Sequence, residues 1–266
     1  MSFLKALGLT AVLYFCIGLT GYIALYLLFF VKHDFINDIH SVLQFSALIL
    51  SYFLVWKYFI NHPFTFKISK FNGFDERLFF PIVFIALGFT IIEQPLFDLY
   101  YKFKLPEELY KSFPYEEHKL NFTAYVSFVS SVIVTPIVEE LFFRKFLLIE
   151  LKKKYSAQIA VVLSTLLFSA FHLPNFGNLL PPFILGITSA FLYLKSGQIM
   201  YSILLHALAN LNVFLFNYFG RTIDENLQQL NFNLYYWLIF AAGIGILLFG
   251  LRMFSEKLKE KPQEKL

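Results

Sequence analysis

Apolar runs of about 20 residues recur from one end of this chain to the other, divided by short clusters of charge, proline and glycine. A run of about 20 apolar residues matches roughly 30 Å of hydrocarbon at about 1.5 Å of rise per residue, so each predicts one membrane-spanning helix. Eight are predicted, near 6–31, 41–60, 78–97, 121–149, 156–173, 179–195, 198–219 and 234–254. The expected fold is therefore all-α, a polytopic transmembrane helical bundle. The sixth run, opened by Pro181-Pro182 and closed by Lys195-Ser196-Gly197, is the shortest and predicts a partial or tilted helix.

Composition agrees with that pattern. The chain is 58% hydrophobic, 20% aromatic and only 15% charged, with a mean hydropathy of +0.63, and no segment reads as an independent soluble domain. The run from Ala6 to Val31 follows Lys5 but is too long for the apolar region of a signal peptide, so it is read as a spanning helix. Cys16 is the only cysteine, which excludes intramolecular disulfides and cysteine-rich metal sites. A net charge of +4, without a basic stripe interleaved with aromatics, excludes nucleic acid as the expected partner.

With eight spans both termini share a side. Fifteen Lys and Arg residues fall on that side, among them Lys57, Arg77, Lys152, Lys195, Arg252 and Lys257, against six on the other. The excess of positive charge predicts cytoplasmic termini in a plasma (inner) membrane. Segment 98–120, acidic and aromatic, is expected to be a surface loop with a short interfacial helix. The tail from Ser255 alternates Glu and Lys and reads as an anchor at the headgroups.

Against this background three polar pieces stand out: Glu139-Glu140-x-x-x-Arg144, Phe168-x-x-x-His172 and His206-x-x-x-Asn210. Each unpaired charge at the centre of a membrane helix costs about 2.5–3.5 kcal/mol, which marks Glu139, Glu140 and Arg144 as functional candidates. Residues four apart share a helix face, so Glu140 is expected to pair with Arg144, leaving Glu139 free. Counted by helical rise from the termini's side, Glu139, His206 and His172 lie roughly 16, 12 and 22 Å deep, a common slab on the cytoplasmic side. Pro136 is expected to kink its helix and admit water beside the carboxylates. A carboxylate and an imidazole that activate water, with two fixed donors for an oxyanion, suit hydrolysis of a carbonyl compound.

In these residues the chain resembles the CAAX protease and bacteriocin-processing family, also called the abortive-infection family, which includes the type II CAAX prenyl endopeptidase. The family's EExxxR, FxxxH and HxxxN patterns stand complete and in order, from about 121 to 215. The resemblance divides the chain into N-terminal helices with an interfacial loop (1–120), a catalytic core (121–220), and a last helix with a cytoplasmic tail (221–266). It implies an intramembrane endopeptidase in which Glu139 and His172 activate water, His206 and Asn210 form the oxyanion hole, and Glu140 with Arg144 holds the geometry. The implied partners are the lipid bilayer and a protein or peptide substrate, lipidated CaaX-like or a bacteriocin-type precursor. No cofactor is expected. A zinc-dependent version would use Glu139, His172 and His206, but no His-Glu-x-x-His is present and Asn210 fits a donor better than a ligand.

Other readings remain beside this one. A catalytically silent scaffold or bacteriocin-immunity protein would use the same fold, but would be free to lose any of the polar residues. A transporter would use Glu93 and Glu139 as coupling carboxylates, but internal repeats are absent. For Glu93-Gln94-Pro95 a polar break near the outer end of its helix is expected ahead of the alternative, a place in the lining of the same cavity, and Phe168 is expected to be a core packer.

Overall fold

The computed structural model describes residues 1–28, 36–60, 74–104, 120–173 and 179–260. These form nine helices and no strand: α1 (Phe3–Leu28), α2 (Ile36–Phe59), α3 (Phe79–Lys104), α4 (Phe122–Lys152), α5 (Ala157–Ala170), α6 (Leu180–Ser196), α7 (Ile199–Phe219), α8 (Arg221–Gln229) and α9 (Leu234–Lys259). Six of them, α1, α2, α3, α4, α7 and α9, are long and apolar enough to cross a membrane. With large apolar side chains such as Leu4, Phe15, Tyr22, Phe80 and Leu248 facing outward, the chain is an integral membrane protein.

All eight predicted runs are helical, but two fall short of spanning length. The fifth rather than the sixth is the shortest: α5 has 14 residues and α6 has 17. At about 1.5 Å per residue α5 covers only about 21 Å. The Tyr14 hydroxyl donates to the Leu173 carbonyl at 2.8 Å, and Tyr14 lies about 17 Å along α1 from Phe3. The α5 C-terminus therefore stops in the middle of the bundle, where α6 also begins.

Hydrogen bonds group helix ends at two faces. The Met1 amine donates to the Glu150 carbonyl at 2.7 Å, Lys195 to Ser255 Oγ at 2.8 Å, Lys257 to the Arg77 carbonyl at 3.1 Å, and the Asp75 amide to the Tyr201 hydroxyl at 2.8 Å. This is the termini's face. At the opposite face Thr123 donates to Asp38 at 2.8 Å and the Tyr236 hydroxyl to Asp98 at 2.8 Å. Basic residues expected on one side are thus brought to one face.

The predicted loop at 98–120 begins later than expected, because α3 runs through Pro95 to Lys104 and Asp98 is tied to α9. The rest of that segment, with His33, His62, His118, Asn175, Asn178 and the end of the tail, lies outside the described residues. The short α8 was not anticipated. Its Ile223, Asp224, Leu227 and Gln228 share one side, too few apolar residues to register as a span.

In a membrane, helix association rests on close packing, and small residues permit it. A Cβ on Gly88 would lie 2.4 Å from the Leu247 amide nitrogen, and one on Gly250 would lie 2.8 Å from the Ile85 nitrogen, so α3 and α9 touch backbone to backbone. Gly88→Ala is expected to destabilise the protein by about 1–3 kcal/mol through overpacking. Gly245→Ala, where a Cβ meets nothing within 4 Å, should be neutral or better. Thermal unfolding of both variants in detergent checks the contrast.

Candidate active site

The site is built on a local irregularity of α4. Its α-helical turns are interrupted by π-helical stretches at Val129–Val134 and Leu141–Leu148, which bracket the α-helical Thr135–Glu140. Ser131 would normally bond the amide of Thr135, but that N–H goes to the Ser130 carbonyl instead. The residue five on, Pro136, has no N–H. The freed Ser131 carbonyl is taken by Asn210, whose Nδ2 donates to it at 2.7 Å. The expected effect of Pro136 thus takes the form of widened turns, and the opening it leaves is filled by a side chain from α7.

Glu140 is completely buried between two partners. Its Oε2 lies 3.2 Å from Arg144 Nε, and its Oε1 lies 3.0 Å from His206 Nδ1. Arg144, also fully buried, lays its guanidinium on the Phe168 ring at 4.1 Å from the centroid, a cation–π contact strengthened by desolvation. A Cβ on Gly186 would sit 3.2 Å from Arg144 Nη2 and 2.8 Å from Thr165 Cγ2, so only glycine leaves this space open. Phe168 also packs edge-on against His172 and His206, with centroids 5.1 and 5.7 Å away. It is a core packer, as expected, and also the platform joining all three polar pieces.

Glu139 points away from this pair. Its Oε2 lies 3.8 Å from His206 Nε2, beyond hydrogen-bonding distance, and has no hydrogen-bond partner although the residue is only 5% exposed. His206 thus stands between the two carboxylates, one on each ring nitrogen. His172, in the turn after α5, pairs its Nδ1 with the Phe168 carbonyl at 3.0 Å. A carbonyl only accepts, so Nδ1 is the donor and Nε2 keeps its lone pair. Among the described residues no hydrogen bond or ion pair joins His172 to Glu139.

His172, His206 and Asn210 lie at the inner end of a cavity of about 1080 Å³, whose walls come from α3, α7, α8 and the start of α6. It extends past Glu93, Gln94 and Asp98 to Asp224 and Gln228, away from the termini's face. The site residues were expected in a slab on the termini's side, and this cavity reaches them from the other side. On the termini's side the space is filled by Phe143, Leu147, Leu148 and Tyr201, whereas α5 and α6 end halfway and leave the other half to the cavity. Glu93 lines this cavity, so it is more than a break in its helix. Asp98, Asp224, Ser131 and Gly186 were missed in the sequence. The Gln94-x-x-x-Asp98 spacing and the proline five residues after Ser131 were the available signals.

Glu139, His172 and His206 do not fit a zinc ion as arranged. Among the described residues no three His, Cys, Asp or Glu side chains converge as a ligand set, although the Glu140 and Phe168 contacts leave the second nitrogen of each histidine open.

Residues 121–212, the stretch that supplies Glu139, Glu140, Arg144, His172, His206 and Asn210, match the family model described as type II CAAX prenyl endopeptidase Rce1-like. Over this stretch the chain is similar to that family. The Rce1-like family is one of intramembrane proteases. No curated protein and no solved structure matches the chain. The matched stretch spans α4 to most of α7, while α3, α8 and α9, which contribute to the rest of the cavity, lie outside it.

Removing one partner of a buried ion pair leaves an uncompensated charge, so Arg144→Met is expected to cost about 3–5 kcal/mol of stability. Adding Glu140→Gln to it should recover most of that loss. Denaturation midpoints of the single and double variants measure the coupling.

Proposed function

We propose that the protein is an intramembrane endopeptidase that hydrolyses peptide bonds of membrane-associated substrates with water activated by Glu139. The observation that carries this reading is the placement of His206 between Glu140 at 3.0 Å and Glu139 at 3.8 Å, on the floor of a large cavity. The substrates are protein or peptide chains, CaaX-like or precursor segments, that approach from within or beside the bilayer.

In this mechanism Glu139 Oε2 takes a proton from water while His172 Nε2, the unprotonated nitrogen, accepts a hydrogen bond from the same water and orients it. The water oxygen attacks the scissile carbonyl carbon. Asn210 has a second amide hydrogen beyond the one given to Ser131, and it stabilises the oxyanion together with His206, which as an imidazolium between the two carboxylates gives Nδ1–H to Glu140 and keeps Nε2–H for the substrate. When the tetrahedral intermediate collapses, the C–N bond breaks and Glu139 returns its proton to the leaving amine. Glu140, with Arg144 behind it, holds His206 in place without touching the substrate. No step requires a metal.

Removing the base or its orienting partner is expected to lower kcat by at least about 100-fold, and Asn210→Ala by about 100- to 1,000-fold. Glu139→Ala and His172→Ala should do so with unchanged thermal midpoints. Full cleavage of a membrane-anchored reporter by either variant would sink the mechanism, and stoichiometric zinc in elemental analysis of the purified protein would replace it.

For orientation, the basic residues gathered on one face support cytoplasmic termini. In a Cys16→Ser background, Lys57→Cys should react with a membrane-impermeant maleimide only after permeabilisation. Labelling in intact cells would invert the topology.

A further inference from the structure

A helix that ends inside a bilayer must satisfy its last carbonyls without water. α5 does so in a tightened turn. The Phe171 amide donates to the Leu167 and Phe168 carbonyls at 3.1 and 3.2 Å, the His172 amide to the Ser169 carbonyl at 3.0 Å and the Leu173 amide to the Ala170 carbonyl at 3.2 Å. Pro174 follows and has no N–H to add. The Leu173 carbonyl takes its hydrogen bond from another helix, the Tyr14 hydroxyl of α1 at 2.8 Å.

Tyr14 grips both neighbours of His172. Its ring packs edge-on against Phe171, with centroids 5.8 Å apart, and Phe171 packs edge-on against Phe143 of α4 at 5.7 Å. Its hydroxyl holds Leu173 on the other side. Toward α6, Ser169 Oγ donates to the Leu179 carbonyl at 2.5 Å. The turn that presents His172 is thus tied to both α6 and α1, and the tie to α1 brackets the histidine. α1 is itself set in height. The Phe3 amide donates to the Tyr155 hydroxyl at 3.2 Å, just before α5 begins, and Thr20 Oγ1 meets Ser51 Oγ of α2 at 3.0 Å. Tyr14 is 43% exposed and faces the lipid, where no water competes for its hydroxyl and a hydrogen bond is stronger than at a wet surface.

We infer that Tyr14 is a positioning residue of the hydrolytic site, holding the His172 turn so that His172 Nε2 stays where it can orient the water. This rests on the catalytic reading above and adds to it a residue of α1, a helix that lies outside the matched stretch and gives the cavity no lining residue among those described. Catalytic geometry tolerates little, since a shift of about 1 Å costs on the order of 100-fold. Leu173 is covalently next to His172, so slack at its carbonyl reaches the imidazole directly, whereas Glu139 is carried by α4 and does not move with it.

The test uses the full chain in nanodiscs. Tyr14→Phe removes the hydroxyl and keeps the ring on Phe171. Backbone amide exchange, followed by mass spectrometry on the peptide covering 167–173, should become about three- to tenfold faster, with α3 and α9 unchanged. With a membrane-anchored CaaX-like reporter, kcat should fall about tenfold or more while KM stays within about twofold. Added to His172→Ala, the same substitution should slow cleavage no further, because the effects of residues that act through one group are not additive. Tyr22→Phe, at the lipid face of the same helix, should change neither readout. Unchanged exchange or unchanged kcat in Tyr14→Phe overturns the positioning role, and so does a kcat loss equally large in the His172→Ala background. Full cleavage by His172→Ala together with faster exchange in Tyr14→Phe upholds the tie of α1 to the turn and overturns the catalytic reading instead.

Discussion

The ion pair between Glu140 and Arg144 is the constraint around which the core of this protein is arranged. Both side chains are sealed from solvent, where an unpaired charge would cost several kcal/mol. Their geometry must therefore be served by neighbours. Phe168 lies under the guanidinium, Gly186 gives it room, and His206 takes the second carboxylate oxygen. Through those three contacts α5, α6 and α7 are fixed to α4. Once Glu140 is committed in this way, the adjacent Glu139 is turned out of the pair and toward the other nitrogen of His206.

The second determinant is the length of α5 and α6. In a bundle of spanning helices a pair that ends halfway leaves a volume that must be filled with side chains or left open. Here the termini's half is filled with phenylalanine and leucine, and the other half is a cavity with His172 at its base. The turn that ends α5 presents His172 there, and the backbone carbonyl of Phe168 sets which of its nitrogens faces the open space. The helix ends therefore set both where the cavity lies and which side chains line its base.

A division of labour follows along the chain. The segment matched by the family model supplies Glu139, Glu140, Arg144, His172, His206 and Asn210, whereas the cavity's acids and most of the apolar wall come from α3, α8 and α9, outside it. The cavity is thus built jointly by the matched segment and by helices outside it. Those helices are joined mechanically by the close glycine-mediated packing of α3 on α9 and by Gln94, whose single amide reaches carboxylates on both α3 and α8.

The sequence by itself determined the helical class, the position of every long apolar helix, the pairing of Glu140 with Arg144 and the division between Glu139 and its neighbour. Each of these follows from local rules: hydrophobic length against membrane thickness, and a period that puts residues four apart on one face. It did not determine that His206 is shared by two carboxylates, that Asn210 caps a carbonyl released by Pro136, or that Glu93 and Asp224 belong to one cavity. Those depend on contacts between residues as far apart as Glu93 and Asp224, and no periodicity encodes them. The direction in which the cavity extends was decided the same way. Charge counting assigns helix ends to faces, but which half of a bundle stays open depends on where the short helices stop and what packs beneath them, and only the tertiary structure decides that.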